Sequence, residues 1–317
     1  MFNSTHTFVG LAIARTAGDE WVPYSGLPAV IASNLPDIDI VTAAMGAATY
    51  IDYHRGLTHS LLGLPFFSLL IAAAMYYFSG KFWRTFTIAL IVMATHPVLD
   101  YLNTYGYRPF LPFDGTWYYG DVLYIIDPYI DGILLLGILA GALMENTRKV
   151  MAWVSLILAV AYVGARVELR SLAVSHVEEF VAKTPNVEKW AVFPEMTNPF
   201  LWTGIVQTNR QMLKMKVNAL NGIDPDDDVV RLIRGSASDI VNRVAKTNSA
   251  DVLLRFSRFP LSRVEGLRFG AVGYRVVFFD FRFYNELDRT ALGSEIILDQ
   301  SFHVTKENMS FAQVIAN

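Results

Sequence analysis

Four apolar stretches, each long enough to cross a bilayer, crowd into residues 60–169 and limit what this chain can fold into. A spanning helix needs about 20 mostly apolar residues. The stretches run from about Ser60 to Ser79, Trp83 to Leu102, Ile125 to Met144 and Val150 to Leu169. None shows the polar face of a surface helix, so they read as helices in lipid or in a deep bundle. A soluble helical core is the competing reading, and the crowding of four such runs argues against it. Composition points the same way. Of 317 residues, 53% are hydrophobic and only 17% charged, whereas soluble domains carry about a quarter charged residues.

Residues 6–50 hold shorter apolar pieces (7–17, 27–35 and 38–50) broken by Pro23, Pro28 and Pro36. They predict short or re-entrant helices packed on the bundle, or two further spans. Non-helical backbone at that depth is tolerated only where protein or a cavity covers it. After Arg170 the character changes. Residues 168–183 predict an amphipathic helix. Strand-like runs follow at 190–193, 202–206, 211–217, 252–256, 267–269, 274–283 and 295–304. Residues 226–248 predict one or two helices, and Asp224–Asp228 a solvated loop. The expected fold is therefore a multi-pass α-helical membrane bundle of four to six spans (residues 1–170), followed by a soluble, strand-rich α+β domain (residues 171–317).

The net charge of −3 gives no basic field for nucleic acid. No cysteine is present, which excludes thiolate metal sites and leaves His and Asp as ligands. No cleavable signal peptide is expected, because the first apolar run is short and lacks a basic region before it. Lys81 and Arg84 lie in one tight turn between apolar segments, and Arg148 and Lys149 in another. Basic residues favour the cytoplasmic side of short loops. If all four helices cross, both turns share that side. The opposite, outer face then carries residues 59, 96–124 and everything after 170.

Four of the six histidines fall in the first hundred residues, each near a carboxylate or another histidine. His96 and Asp100 are four apart, hence on one helical face, and could share an ion, or Asp100 could orient the imidazole. Pro97 between them predicts a kink. Asp37 and Asp39 flank Ile38 after Pro36, where a loop can aim both carboxylates at one point; a helix N-cap is the bland alternative. His54 and His59 are five apart, with Gly56 permitting a turn between them. Arg55 reads as an anion clamp or as a snorkelling interfacial arginine. His6 follows capping residues and gains interest only from its company. Asp121 is a candidate base. Asp127 and Asp131 could complete a second site, act as base, or cap a helix. Trp117, Tyr118 and Tyr119 read first as an interfacial aromatic belt. Imidazole and carboxylate together suit a divalent ion such as zinc, iron or manganese, and ionisable groups at the ends of membrane segments are functional candidates.

Taken together, His6, Leu35-Pro36-Asp37-Ile38-Asp39, His54-Arg55-Gly56-Leu57-Thr58-His59-Ser60 and His96-Pro97-Val98-Leu99-Asp100 resemble the YdjM-type family. Its members are bacterial membrane-bound, predicted metal-dependent hydrolases, also described as LexA-binding and inner-membrane-associated. The resemblance covers roughly residues 1–145. The order of Asp, His and His-x-x-x-Asp is also similar to part of the zinc phospholipase C and nuclease pattern. The later ligands of those enzymes are not apparent here, so one or two ions are expected rather than three.

The expected protein is thus an inner-membrane, metal-dependent hydrolase. Zinc comes first among the metals, with manganese or iron as alternatives. The metal candidates are His6, Asp37, Asp39, His54, His59, His96 and Asp100, with His59, His96, Asp37 and Asp100 foremost. Arg55 would hold a phosphate, and Asp39 or Asp121 would act as base. The expected substrate is a phosphoester, or another ester, of a lipid-linked molecule at the outer face of the cytoplasmic membrane, with membrane lipid as partner. The alternative is a non-catalytic anchor or regulator with a structural metal and an outer binding domain.

Overall fold

The computed structural model describes the chain except residues 225–228, 235–238, 268–272, 286–288 and 315–317. Helices α1 (Asn3–Ala17) and α2 (Gly26–Asn34) lead into a 3-10 segment, Leu35–Met45, and a short α3 (Ala47–Tyr53). A one-turn 3-10 element, Leu57–His59, precedes α4 (Gly63–Ser79) and α5 (Phe82–Leu102). A long loop then leads to α6 (Pro128–Leu143) and α7 (Arg148–Lys183). The expectation of short helices before residue 50 matches this order.

Among the described residues two helices, α5 and α7, are long and apolar enough to cross a membrane. The stretch Ala47–His59 and α4 pass the same test as a pair bent by 73°, which raises the number to three. Helix α6 is apolar but has only 16 residues. Small residues let α6 and α7 approach closely: a Cβ at Gly137 would sit 2.3 Å from that of Ser155, and one at Gly141 would sit 3.2 Å from the Arg148 Cα. This Gly-x-x-x-Gly spacing suits helix pairs in lipid, where close backbone packing replaces hydrophobic driving force. One bundle core joins Ala29, Ala32, Ile71, Ile88, Val92 and Met93; a second joins Val9, Leu99, Leu123, Ile130 and Leu134.

The amphipathic segment expected at 168–183 is the end of α7, so the expected boundary near 170 falls inside one helix. Its buried Ala173 and Val177 pack on the first sheet, formed by β1 (Val187–Pro194), β2 (Leu201–Thr208), β3 (Gln211–Asn218) and β4 (Val230–Ile233) in antiparallel order. After α8 (Asp239–Val244) and α9 (Asn248–Phe256) comes a second antiparallel sheet. Its strands are β5 (Pro260–Leu267), β6 (Gly273–Asp280), the two-residue β7 (Tyr284–Asn285), β8 (Arg289–Asp299) and β9 (Val304–Val314). β6 and β7 pair with one edge of β8, and β9 pairs with the other. Phe193, Ile205 and Met212 of the first sheet share a core with Phe259, Leu261 and Phe279 near the second.

Three expectations about secondary structure need correction. Residues 252–256 are helical, because Val252, Leu253 and Phe256 follow a helical repeat and bury one face against Val276 and Ile296. Residues 230–233, expected to be helical, form an edge strand on β3. Residues 281–283 leave the expected strand as a 3-10 turn. Most of the Asp224–Asp228 loop and residues 268–269 lie outside the described residues.

Candidate metal centre

The site lies at one end of the bundle, where four chain segments meet. His96 stands on α5 with its Nδ1 2.7 Å from the Ser33 carbonyl oxygen of α2. A carbonyl only accepts, so Nδ1 carries a proton and Nε2 is the ring nitrogen turned toward the cluster. His59, on the Leu57–His59 turn, has its Nδ1 3.0 Å from the Thr58 hydroxyl and 3.5 Å from an Asp39 oxygen. Its Nε2 points the other way, 3.1 Å from His96 Nε2. Asp37 Oδ1 lies 3.4 Å from His59 Nε2 and 3.6 Å from His96 Nε2. Asp100 Oδ2 lies 3.4 and 3.5 Å from the same two nitrogens. Both carboxylates thus approach the same pair of imidazole nitrogens. Among the described residues Asp100 Oδ2 takes no hydrogen bond, and neither nitrogen of buried His6 has a hydrogen-bond partner. A single proton relieves one pair of these atoms, whereas a divalent cation satisfies Asp37, His59 and His96 together. The residues present therefore suit a metal.

Among the described residues three overlapping groups could hold an ion: His6 with His96 and Asp100; Asp37 with His59 and His96; Asp37 with Asp39 and His54. The His6 ring stacks on His96 at 3.6 Å between centroids, which leaves His6 Nε2 3.6 Å from Asp100 Oδ1. His59, His96, His6 and Asp100 are almost fully buried. Burial pushes the Asp37 carboxyl up, but hydrogen bonding and charge from His59 and His96 outweigh it and hold Asp37 well below the usual carboxylate range.

Asp39 is occupied differently from Asp37. It binds His54 Nδ1 at 2.8 Å, and accepts from the Arg55 backbone N–H and the Thr58 hydroxyl, both at 3.1 Å. It fixes the orientation of the His54–His59 turn. Arg55 differs from its expected role as an anion clamp. Its backbone is left-handed (φ 55°), and its guanidinium turns inward to Asp100 Oδ1 at 2.8 Å, Asn103 Oδ1 at 3.0 Å and the Gly106 carbonyl at 3.0 Å. With Oδ1 so held, Asp100 presents Oδ2 to the two histidines. The Met1 amino group also contacts Asp100.

Asp121 stands outside the cluster, with both carboxylate oxygens taken by Arg258 at 2.7 and 2.9 Å. Asp127 caps α6, accepting from Tyr129 and Ile130 N–H and from the Tyr162 hydroxyl. Asp131 accepts from Ser4 and Thr5. Neither joins the centre. Trp117 packs edge-on against Phe256 at 5.7 Å between ring centroids. Ser33 and Thr58, which set the imidazole tautomers, carried no signal in the sequence; Thr58 was visible only as a member of the motif between the two histidines.

A membrane-embedded helical bundle with a buried His/Asp constellation at one end, joined to a strand-rich domain, is the class this architecture defines. The sequence profile of the YdjM inner membrane protein family matches residues 1–172. The chain belongs to that family and is an inner membrane protein. It is 31% identical over 140 residues to the uncharacterized protein YfhP of Bacillus subtilis, an alignment covering 41% of this chain and 43% of the relative. The chain thus spans less than half the length of the curated relative it matches. No solved structure matches.

Proposed function

We propose that the protein is a membrane-bound, metal-dependent hydrolase whose first ligands are His59, His96, Asp37 and Asp100. One observation carries this reading. Atoms bound to one zinc ion lie about 3.3 Å apart; Asp37 Oδ1, His59 Nε2 and His96 Nε2 lie 3.1 to 3.6 Å from one another, and Asp100 Oδ2 lies 3.4 and 3.5 Å from the two nitrogens. Zinc, with two nitrogens and two oxygens, is the favoured ion. His6, His54 and Asp39 surround the first four atoms and offer room for a second ion, with Asp37 between the two positions. Such an ion supplies a nucleophile at neutral pH and Lewis acidity toward a phosphoryl or acyl oxygen. The chain's own groups set the geometry. Ser33 and Thr58 fix the two imidazoles, Asp39 anchors the turn and Arg55 aims Asp100. Asp39 and His54, at the rim, are the groups placed to move a proton.

The reaction we favour is hydrolysis of a phosphoester on a lipid-linked substrate at the outer face of the cytoplasmic membrane. Support for that orientation comes from the far end of the bundle, where Lys149 pairs with Glu20 and Arg84 reaches the Trp21 carbonyl. The basic turns therefore gather opposite the centre, in keeping with a cytoplasmic end. With α4 and α6 counted as crossings beside α5 and α7, this orientation would leave the C-terminal domain outside. A second reading, a structural metal in a non-catalytic anchor, draws on the same cluster of side chains, since structural zinc sites use four protein ligands. The two separate on turnover. Purified protein should hydrolyse bis(p-nitrophenyl) phosphate, lose that activity to a chelator and regain it with zinc or manganese. Metal-loaded protein without turnover of any phosphoester or carboxylic ester would favour the structural reading.

A further inference from the structure

The centre is closed toward the C-terminal domain. The Tyr105 ring lies under Arg55 at 4.5 Å and edge-on to His54 at 5.5 Å. Phe256 of α9 packs on Tyr105 at 4.6 Å. Arg258 on Asp121 and Arg282 on the Thr104 carbonyl (2.6 Å) fasten the same loop to the second sheet. The most exposed of the four proposed ligands is Asp37, its side chain 15% accessible. It rides on a 3-10 segment that packs against the Leu57–His59 turn and exposes Ile38, Ile40, Val41 and Met45.

Beside that turn, along the start of α4, runs a groove of about 370 Å³ lined by Leu57, Thr58, Ser60, Leu62, Phe66 and Phe67. Thr58 joins groove to centre, since its hydroxyl bonds both His59 and Asp39. The groove has no charged wall. The Ser60 hydroxyl is already spent on the Leu57 carbonyl at 2.8 Å. A peptide seated there would leave its backbone groups unpaired, a cost of several kcal/mol each in an apolar medium, whereas a hydrocarbon has nothing to leave unpaired. We infer that the groove seats one hydrocarbon chain of a membrane lipid, so that a lipid substrate reaches the centre sideways from the bilayer. This rests on the hydrolytic reading for its purpose but not for its test.

The test uses full-length protein in phosphatidylglycerol vesicles doped with phosphatidylglycerol bearing a diazirine at one chain end. After photolysis, peptide mapping locates the adducts. Adducts should concentrate on residues 57–67 over the equally lipid-exposed 154–160 of α7 by roughly tenfold, the preference that burial of two methylene groups gives. Leu62→Trp, which fills the groove from its exposed rim, should remove that excess. An even spread over α4 and α7, or adducts indifferent to Leu62→Trp, overturns the inference. Adducts in the groove without phosphoester turnover would keep the chain seat and remove the hydrolytic reading. Turnover without groove adducts would do the reverse.

Discussion

Two carboxylates two residues apart do different work here. Asp37 faces the histidine pair, while Asp39 is saturated by His54, the Arg55 N–H and Thr58. Asp39→Asn should therefore weaken metal binding roughly 10–100-fold, the usual cost of losing a group that orients a ligand, without abolishing it. Competition titration with a chromophoric chelator measures this, and binding as tight as wild type would remove the orienting role. Arg55→Lys should also weaken binding, because an ammonium cannot span Asp100, Asn103 and the Gly106 carbonyl at once. The candidate ligands were legible as residue types in short motifs. Their division of labour was not, because it depends on where a side chain points. Nothing in the sequence shows that residue 55 adopts φ 55° and folds its guanidinium inward.

At the scale of elements, α7 does most to connect the two halves. Its 36 residues span about 54 Å at 1.5 Å each, well beyond a hydrocarbon core of about 30 Å. Arg166 pins it, bonding the Val122 and Pro199 carbonyls and lying 4.3 Å over the Trp202 ring. Arg166→Leu strands two carbonyls at about 1–3 kcal/mol each, so the C-terminal domain should become protease-sensitive at lower temperature. Unchanged resistance in a thermal proteolysis series would contradict this. Phe256→Ala should cost about 3–5 kcal/mol, read as a lowered unfolding midpoint in detergent. The long apolar runs that became α4 to α7 were legible because few structures other than helices tolerate them. Residues 252–256 were not, since five apolar-rich residues fit a strand or a helix equally well, and burial against the second sheet decided the matter.

For the whole molecule, orientation decides what the centre can meet. The chain has no cysteine, so single cysteines report cleanly. In intact spheroplasts an impermeant maleimide should label His303→Cys and spare Lys149→Cys until the membrane is opened; the reverse pattern would place centre and C-terminal domain in the cytoplasm. Beneath orientation lies the claim that residues from three distant segments hold one cation between them. Elemental analysis of the purified protein beside His59→Ala and Asp37→Ala tests it most directly. The account expects about one or two equivalents of zinc, manganese or iron in the parent and a large loss in both variants with the fold retained. Equal metal content in all three, or none in any, would contradict it.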